Sequence, residues 1–403
     1  MRVLLITDWM RHAGGAERYV ACLRAGLAAA GDEVRLLTSS VGSAAEGSAE
    51  HVAWGAEALA LQSVLQIANP FAFACAEKAV RELAPDVAVV NMFANHLSPA
   101  VFAPLRNLPV IVLATDFKLV CPAFAKLLPN GETCREPAGA ACLRRGCLSL
   151  PHWLRDQPRY ALIRRALGRA SRVLACSEAV HCELARNGIA SVVLPLPVDA
   201  PGADFRRRPA ATPLFVFSGR LAAQKGVLTL ARVFARLLAE RPDARLRYVG
   251  GGPEEQELAT VVETLGIGHA VELVGWVAPA RVEEFLADAW AAVAPTRGPE
   301  PLGLVALEAI VRGVPVIATR NGGFLETVDE GRSGLLCADG DEAALLDALR
   351  AVAARSAFPD LRVTDEVRVR ELAKRDPSLH VSAFRGVLRE AVERRRRDRH
   401  GMP

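Results

Sequence analysis

Short aliphatic runs alternate with helix-length amphipathic stretches along most of the chain. The first run, Arg2 to Thr7, shows no polar alternation, which is typical of a strand buried on both faces. A glycine pair at Gly14-Gly15 follows, then a helical apolar period over residues 20–27, then a second aliphatic run over residues 33–38. This succession of strand, glycine turn, helix and strand predicts a βαβ unit with a parallel sheet.

Similar runs recur in two groups. Strands are predicted over 87–90, 110–114, 172–175 and 191–194, and after a break over 214–217, 245–249, 271–273, 291–294 and 314–318, with helices over 226–240, 254–265, 282–287 and 303–311. The break concentrates proline, glycine and charge, as linkers do. We therefore predict an α/β protein with two doubly wound parallel-sheet domains, at 1–197 and 214–380. A linker at 198–213 joins them, and residues 381–403 form a C-terminal helix with a basic tail.

Composition narrows the class of protein. The 403 residues are 51% hydrophobic and 23% charged, which is ordinary globular usage and excludes a disordered, collagenous or coiled-coil chain. The net charge of +4 is too small to indicate a nucleic-acid partner. Nine cysteines are too few and too odd in number for a secreted disulfide framework, and no signal-peptide pattern precedes them. No apolar run reaches the roughly 20 residues of a membrane span. These observations predict a cytoplasmic protein.

The basic run Arg394–Arg397 leaves two interpretations open. A solvated helix end is the simpler one. The alternative is attraction to anionic lipid, to which each basic residue near the surface contributes about 1 kcal/mol. The second interpretation would add peripheral contact with the inner face of the membrane.

Two segments in the second half carry candidate chemistry. Arg220 and Lys225 lie in one loop just after the strand 214–217, and such a pair can neutralise two phosphates. The chain has only five lysines against 44 arginines, so a lysine at this position stands out. Glu300 follows the strand 291–294 in a Pro/Gly loop, whereas Glu308 lies among apolar residues of the next helix, which predicts partial burial. Their places after strands indicate recognition of ribose or hexose hydroxyls.

Taken together, the motifs resemble the retaining GT-B glycosyltransferases of family 4. The stretches that carry the resemblance are Gly14-Gly15-Ala-Glu17, Gly219-Arg220-Leu221 with Lys225-Gly226, Val249-Gly250-Gly-Gly-Pro253, Pro295-Thr296, Glu300-x7-Glu308, and Gly313-x-Pro315 followed by Gly322-Gly323 and Glu326. They keep the family's order from residue 3 to about 340. The resemblance implies two Rossmann-like domains facing across a cleft, a nucleotide-sugar donor held mainly by the second domain and an acceptor held mainly by the first. It also implies last helices that cross back onto the first domain and no cofactor or metal for catalysis.

The resemblance also implies roles for individual residues. Arg220 and Lys225 would clamp the diphosphate, and Glu308 would bind the ribose. Glu300 would contact the transferred sugar together with the backbone of Leu302, Gly303 and Leu304. The remaining donor contacts would come from Gly14, Gly15, Gly250, Gly275, Trp276 and Val277, with Gly15 at the phosphate and the base along residues 274–277. The expected acceptor is a glycan, a lipid-linked sugar or a small molecule.

The chain departs from the family pattern at Thr115. A histidine usually stands there and contacts the 6-hydroxyl of the donor sugar, so Thr115 puts ordinary hexose recognition in doubt. It indicates either a donor with a different C6, an altered contact, or weakened activity. Asp116 follows it and either orients the acceptor as a catalytic residue or only ends a strand.

Four cysteines, Cys121, Cys134, Cys142 and Cys147, lie in one segment and could supply a tetrahedral structural zinc site, although paired CxxC knuckles are missing. The resemblance is to a subgroup with a similar cysteine-rich insertion. Unligated or partly disulfide-linked cysteines are the alternative. The Asp339-Gly-Asp341 stretch predicts a turn and helix N-cap, and not a metal site. His12 and His96 lie in loops near the substrate side. They are interpreted as surface histidines, with contact to substrate as the alternative.

Other functions remain as alternatives. One is a nucleotide-sugar epimerase or glycan phosphorylase of the same architecture, although Lys374 lacks a convincing setting for pyridoxal phosphate. A dinucleotide dehydrogenase would need GxGxxG after the first strand, where Ala16-Glu17 stand in this chain. A nucleotide-sugar binding protein without catalysis stays open because of Thr115.

Overall fold

The computed structural model describes residues 1–8, 10, 14–41 and 49–400, arranged in two compact units. Unit 1 contains residues 1–129, 135–197 and 377–403, and unit 2 contains residues 130–134 and 198–376. The short segment 130–134 therefore groups with unit 2, although the chain on either side of it belongs to unit 1.

Unit 1 is built on a sheet of seven parallel strands in the order β3-β2-β1-β4-β5-β6-β7. The strands are β1 Arg2–Ile6, β2 Glu33–Ser39, β3 His51–Ala53, β4 Val87–Asn91, β5 Val110–Ala114, β6 Arg172–Ala175 and β7 Val192–Val193. The helices are α1 Gly15–Ala29, α2 Leu59–Leu65, α3 Pro70–Leu83, α4 Ala140–Arg144, α5 Leu150–Leu167 and α6 Glu178–Arg186. Every residue of β4 and β5 is buried, which explains their unbroken aliphatic sequences.

Unit 2 contains a sheet of six parallel strands in the order β10-β9-β8-β11-β12-β13. The strands are β8 Leu214–Ser218, β9 Arg245–Val249, β10 Val271–Gly275, β11 Ala291–Ala294, β12 Val316–Thr319 and β13 Gly334–Cys337. The helices are α7 Val227–Glu240, α8 Glu255–Thr264, α9 Val282–Leu286, α10 Leu304–Val311, α11 Phe324–Thr327, α12 Glu342–Ala353 and α13 Asp365–Lys374. In both sheets the first strand of the unit lies beside the fourth strand of that sheet in chain order, which is the doubly wound arrangement.

Both faces of the unit 2 sheet are covered by helices. Phe215 and Phe217 point to one face and pack in a core with buried residues of α7 and α12. Val216, between them, points to the other face and packs with buried residues of α10. Because successive strand side chains alternate between faces, a strand covered on both sides is apolar throughout.

The last helix, α14 Pro377–His400, belongs to unit 1 and packs against α1. A Cβ at Gly26 of α1 would lie 2.4 Å from a methyl carbon of Val381, so only glycine permits this approach. The buried carboxylate of Asp32 accepts hydrogen bonds from the N-terminal amine at 2.7 Å and from Arg385 Nε at 2.7 Å. Arg394, Arg396 and Arg397 near the end of the helix are exposed.

The predicted strands lie where the structure has them, with shifts at the ends. The strand predicted over 191–194 is only Val192–Val193, and the one predicted over 314–318 is β12, which begins at Val316. β3 and β13 were not among the predicted strands. Within the described residues no single helix has the length and apolarity to cross a membrane; α2 and α3 pass this test together but are bent by 54° at their junction.

Candidate active site

In unit 2 the candidate site residues follow neighbouring strands at the carboxyl edge of the sheet. The loop that carries Arg220 and Lys225 follows β8, and the loop that carries Glu300 follows β11. β8 and β11 are hydrogen-bonded neighbours although β9 and β10 separate them along the chain. Connections leave the sheet in opposite directions at this point, which opens the crevice in which α/β proteins bind ligands.

Glycines let the loops at this edge approach one another closely. A Cβ at Gly250 would lie 1.9 Å from the Gly219 carbonyl oxygen, and one at Gly252 would lie 2.3 Å from that of Leu221. Gly250 has φ +142°, and its N–H donates to the Gly275 carbonyl at 2.9 Å. Real Cβ atoms do not approach this closely, so the loops after β8 and β9 depend on glycine.

Lys225 and Glu300 form an ion pair. Lys225 Nζ lies 2.6 Å from Glu300 Oε2, with the lysine side chain 28% and the carboxylate 12% exposed. Lys225 ends a short 3-10 turn before Gly226, where a Cβ would lie 2.1 Å from the Pro295 carbonyl oxygen. The pairing brings together two residues that the sequence assigns to the phosphate and to the transferred sugar.

The other unit 2 candidates lie around this pair. Arg220 is exposed, and no hydrogen bond or ion pair of its guanidinium is found within the described part of the chain. Trp276 is 63% exposed and follows the positive-φ residue Gly275, with Val277 half-buried after it. Glu308 is half-buried on α10, as its apolar neighbours predict.

The backbone before α10 is set by glycine and close packing. Gly303 precedes α10 with φ +81°, and a Cβ there would lie 2.6 Å from the Phe324 ring. Leu302 is buried and Leu304 is half-buried. The residues predicted to contact the sugar through their backbone therefore lie at a left-handed turn that leads directly into a helix N-terminus.

In unit 1 the Gly14-Gly15 pair lies where α1 begins, as predicted, with Gly14 at the N-cap. The Glu17 carboxylate reaches back to the Gly14 N–H, and a Cβ at Gly14 would lie 2.5 Å from Glu17 Oε2. Burial raises the pKa of Glu17, and the nearby charge of Lys118 opposes this shift. The structure thus places a carboxylate beside the helix end at which the sequence predicts a phosphate.

Thr115 has a partner that the sequence analysis did not name. Its hydroxyl donates to Asn91 Oδ1 at 3.0 Å, and Asn91 is the last residue of the neighbouring strand β4. Asp116 next to it accepts a hydrogen bond from the Lys118 N–H at 2.8 Å, with Lys118 Nζ 3.9 Å away. Burial raises the pKa of Asp116, and Lys118 opposes the shift. Asp116 therefore stays a candidate for the site at this edge of the sheet.

The four cysteines of the predicted zinc site differ in burial. No group of three or more His, Cys, Asp or Glu side chains that could hold a metal occurs among the residues that the structure describes. Cys121 is buried, whereas Cys134, which lies in the segment that groups with unit 2, Cys142 and Cys147 are half-buried. A structural zinc site at these four cysteines therefore stays a prediction.

The segment with these cysteines contains a buried ion pair. Lys126 is 1% exposed, and its Nζ lies 2.9 Å from Glu183 Oε2 and donates to the Glu136 carbonyl at 2.8 Å. A buried charge needs such partners to offset its desolvation. Lys126 therefore anchors this irregular segment to α6.

Two other predictions about polar residues have opposite outcomes. Asp341 is confirmed as an N-cap, since its side chain accepts a hydrogen bond from the Ala344 N–H at 2.9 Å. The surface interpretation of His96 is wrong, because the residue is 3% exposed, and His12 lies outside the described residues. The loop of His96 is drawn inward by the buried Asp8 carboxylate, which accepts hydrogen bonds from the N–H groups of Asn95, His96 and Leu97.

Two α/β units, each with a parallel sheet, are the architecture of the GT-B class of glycosyltransferase. The model of the family "Glycosyltransferase Family 4" matches residues 13–200, and that of "Glycosyl transferases group 1" matches residues 204–361. The two matches account for most of both units. The chain belongs to this family of glycosyltransferases.

Individual relatives agree with this assignment. A D-inositol 3-phosphate glycosyltransferase from Corynebacterium jeikeium is 40% identical over 150 residues, which cover 35% of this chain and 35% of that protein. Sucrose-phosphate synthase from Thermosynechococcus elongatus has the same fold with a TM-score of 0.76 at 22% identity, covering 96% of this chain and 98% of that one. Anabaena HepE, solved in complex with UDP-glucose, has a TM-score of 0.69 at 17% identity and covers 97% and 100%. The chain spans less than half the length of the first curated relatives it matches.

The contacts of Asn91 and Glu17 with the unit 1 candidate residues were not predicted from the sequence. The position of Asn91 could have been predicted, because it ends a fully buried strand next to the strand that leads to Thr115. Glu17 was quoted only as part of a motif, although its place in the first turn of α1 predicts that it reaches the helix end.

Proposed function

We propose that this protein transfers a glycosyl group from a nucleoside diphosphate sugar to a hydroxyl of an acceptor, with retention of the anomeric configuration. The observation that supports this most is the meeting of the β8 and β11 loops, which brings Lys225 to Glu300 at the carboxyl edge of the unit 2 sheet. A cation from one loop and a carboxylate from the other suit a ligand with a phosphate and a hydroxylated sugar. We assign the donor to unit 2 and the acceptor to unit 1.

The roles follow from charge. Departure of the nucleoside diphosphate builds negative charge on the phosphate oxygens, and Arg220 and Lys225 would stabilise it there. Glu308 would accept hydrogen bonds from the ribose hydroxyls, and Glu300 from the sugar. The bond from C1 to the phosphate oxygen breaks while the acceptor oxygen bonds to C1 from the same face. The acceptor proton passes to the departing diphosphate. Because the attack is from the face that the diphosphate leaves, the mechanism needs no nucleophilic carboxylate.

Unit 1 contributes Asp116 as the residue that would orient the acceptor hydroxyl. Burial raises the pKa of its carboxyl group, and the side chain is still 29% exposed, so that a hydroxyl can reach it. A metal-independent reaction remains our prediction. So does a cytoplasmic location with peripheral membrane contact, for which the exposed arginines near the end of α14 offer a basic surface.

The donor and the catalytic activity can be tested in one experiment. The protein is incubated with UDP-, GDP- and ADP-sugars without acceptor, and release of the free sugar and nucleotide is followed by chromatography. We expect slow hydrolysis of one nucleotide sugar, which Arg220→Ala abolishes. Binding of a nucleotide sugar with no hydrolysis, and with no transfer to any acceptor offered, would favour the alternative of a binding protein without catalysis.

A further inference from the structure

We propose that Glu300 weakens the binding of the free nucleoside diphosphate by neutralising Lys225, so that the spent nucleotide leaves after transfer. The inference rests on the proposed function, because it assigns Lys225 to the diphosphate. It gives Glu300 a second role, in addition to sugar contact, as a positioning residue that acts through the lysine.

The ion pair places the Glu300 carboxylate directly against the Lys225 ammonium. At 2.6 Å between Lys225 Nζ and Glu300 Oε2, the carboxylate occupies one donor direction of the ammonium and cancels its charge toward an approaching anion. With 12% of the carboxylate exposed, water screens the pair less than it would a surface pair. A diphosphate that binds here must share the lysine with a group of its own sign.

The backbone of Glu300 is packed against Gly322 and Gly323. The Gly323 N–H donates to the Glu300 carbonyl at 2.7 Å. A Cβ at Gly322, where φ is +49°, would lie 2.2 Å from the same oxygen. The backbone of Glu300 is thus tightly packed, and in this proposal the flexible lysine side chain is the group that moves to the phosphate.

The two cations of the clamp therefore differ before any nucleotide arrives. Arg220 is exposed, and within the described residues its guanidinium has no polar partner, whereas Lys225 is neutralised. When the sugar is attached, its hydroxyls can take the hydrogen-bonding capacity of Glu300 and release Lys225 to the phosphate. After transfer the sugar is gone, the carboxylate recovers the lysine, and the affinity for the diphosphate falls.

The decisive variant is Glu300→Gln, which removes the charge and keeps the shape and a hydrogen-bond acceptor. Binding of UDP, GDP and ADP to the full chain is measured by calorimetry at low salt. We expect the nucleotide that binds best to bind Glu300→Gln about three- to tenfold more tightly, the gain that loss of one partly buried like charge allows. The turnover of Glu300→Gln should fall, and product inhibition by the same nucleotide should become stronger.

Two further variants isolate the route through Lys225. In a Lys225→Gln background, Glu300→Gln should give no gain in affinity, because no ammonium is left to release. Glu240→Gln is the matched control, since Glu240 pairs with Arg350 at 2.8 Å but ends α7 at the opposite edge of the sheet. It removes the same charge, and its nucleotide affinity should equal that of the parent. If Glu300→Gln fails to fold, Glu300→Ala makes the same test.

The outcomes separate this inference from the proposed function. A parent that binds a nucleoside diphosphate while Glu300→Gln binds it equally or more weakly overturns the inference alone. A gain that persists without Lys225 also overturns it, because the effect would then bypass the lysine. A parent that binds none of the three nucleotides overturns both the inference and the proposed function.

Discussion

His380 on α14 makes the stability of unit 1 depend on pH. The imidazole is buried, with Nδ1 2.9 Å from the Pro195 carbonyl oxygen and Nε2 3.0 Å from the Tyr19 hydroxyl. Since a carbonyl oxygen only accepts, Nδ1 carries the proton and Nε2 accepts from Tyr19. A second proton on the ring would place a charge in the core, and the Tyr19 hydroxyl would then accept from Nε2 where it now donates.

Burial accordingly lowers the pKa of His380 from 6.5 to about 4. Above pH 6.5 both the folded and the unfolded chain hold the histidine neutral, and its full contribution to stability is present. As the pH falls from 6.5 toward 4, the unfolded chain takes up a proton that the folded chain refuses. At about 1.4 kcal/mol for each unit, the free energy of unfolding of unit 1 falls by about 3 kcal/mol in total.

The assay is urea unfolding of the full chain between pH 7.5 and 4.5, followed by circular dichroism, for the parent and for His380→Gln. Glutamine keeps an N–H donor and an acceptor but does not titrate. We expect the parent to lose about 2–3 kcal/mol more than the variant over this range. His51 and His96, whose pKa values are also lowered by burial, are present in both proteins and cancel in the difference.

The exposed His269 of unit 2 provides the control, since His269→Gln should keep the parental pH profile. Equal losses of stability in the parent and in His380→Gln would refute the reasoning. They would mean that the core around Tyr19 accepts the imidazolium without cost.

The other predictions concern the candidate active site. Arg220→Ala should lower turnover by at least about 10²-fold, because a donor that stabilises the departing diphosphate is lost; an unchanged initial rate in a saturating donor assay would remove Arg220 from the clamp. Glu308→Gln should weaken nucleoside diphosphate binding, whereas Glu300→Gln should not, and calorimetry giving the reverse order would exchange their roles. Thr115→His should shift donor preference toward unmodified hexoses, because the parent lacks the histidine that holds a 6-hydroxyl; a parent that already uses UDP-glucose as well as any C6-altered donor would contradict this, and the Asn91 contact would then explain the threonine.

The aliphatic runs in the sequence predict the fold class and the positions of most strands. Strands such as β5 and β11 are buried on both faces, so all their side chains are apolar. Their burial can therefore be predicted from the local sequence. The N-cap at Asp341 was predictable for a similar reason, since the cap acts on the N–H only three residues ahead. The β3 strand His51–Ala53 has one exposed residue among three. It is too short for its alternation of apolar and polar residues to be recognised in the sequence.

Contacts between side chains that are distant in sequence depend on the tertiary structure. Lys225 and Glu300 are 75 residues apart in the chain and pair because β8 and β11 are neighbours in the sheet. The local hydrophobic pattern does not predict that these two strands are neighbours. Thr115 meets Asn91 for the same reason, through the adjacent strands β4 and β5. Local periodicity reports burial, whereas contacts between side chains depend on strand order and on the path of the loops.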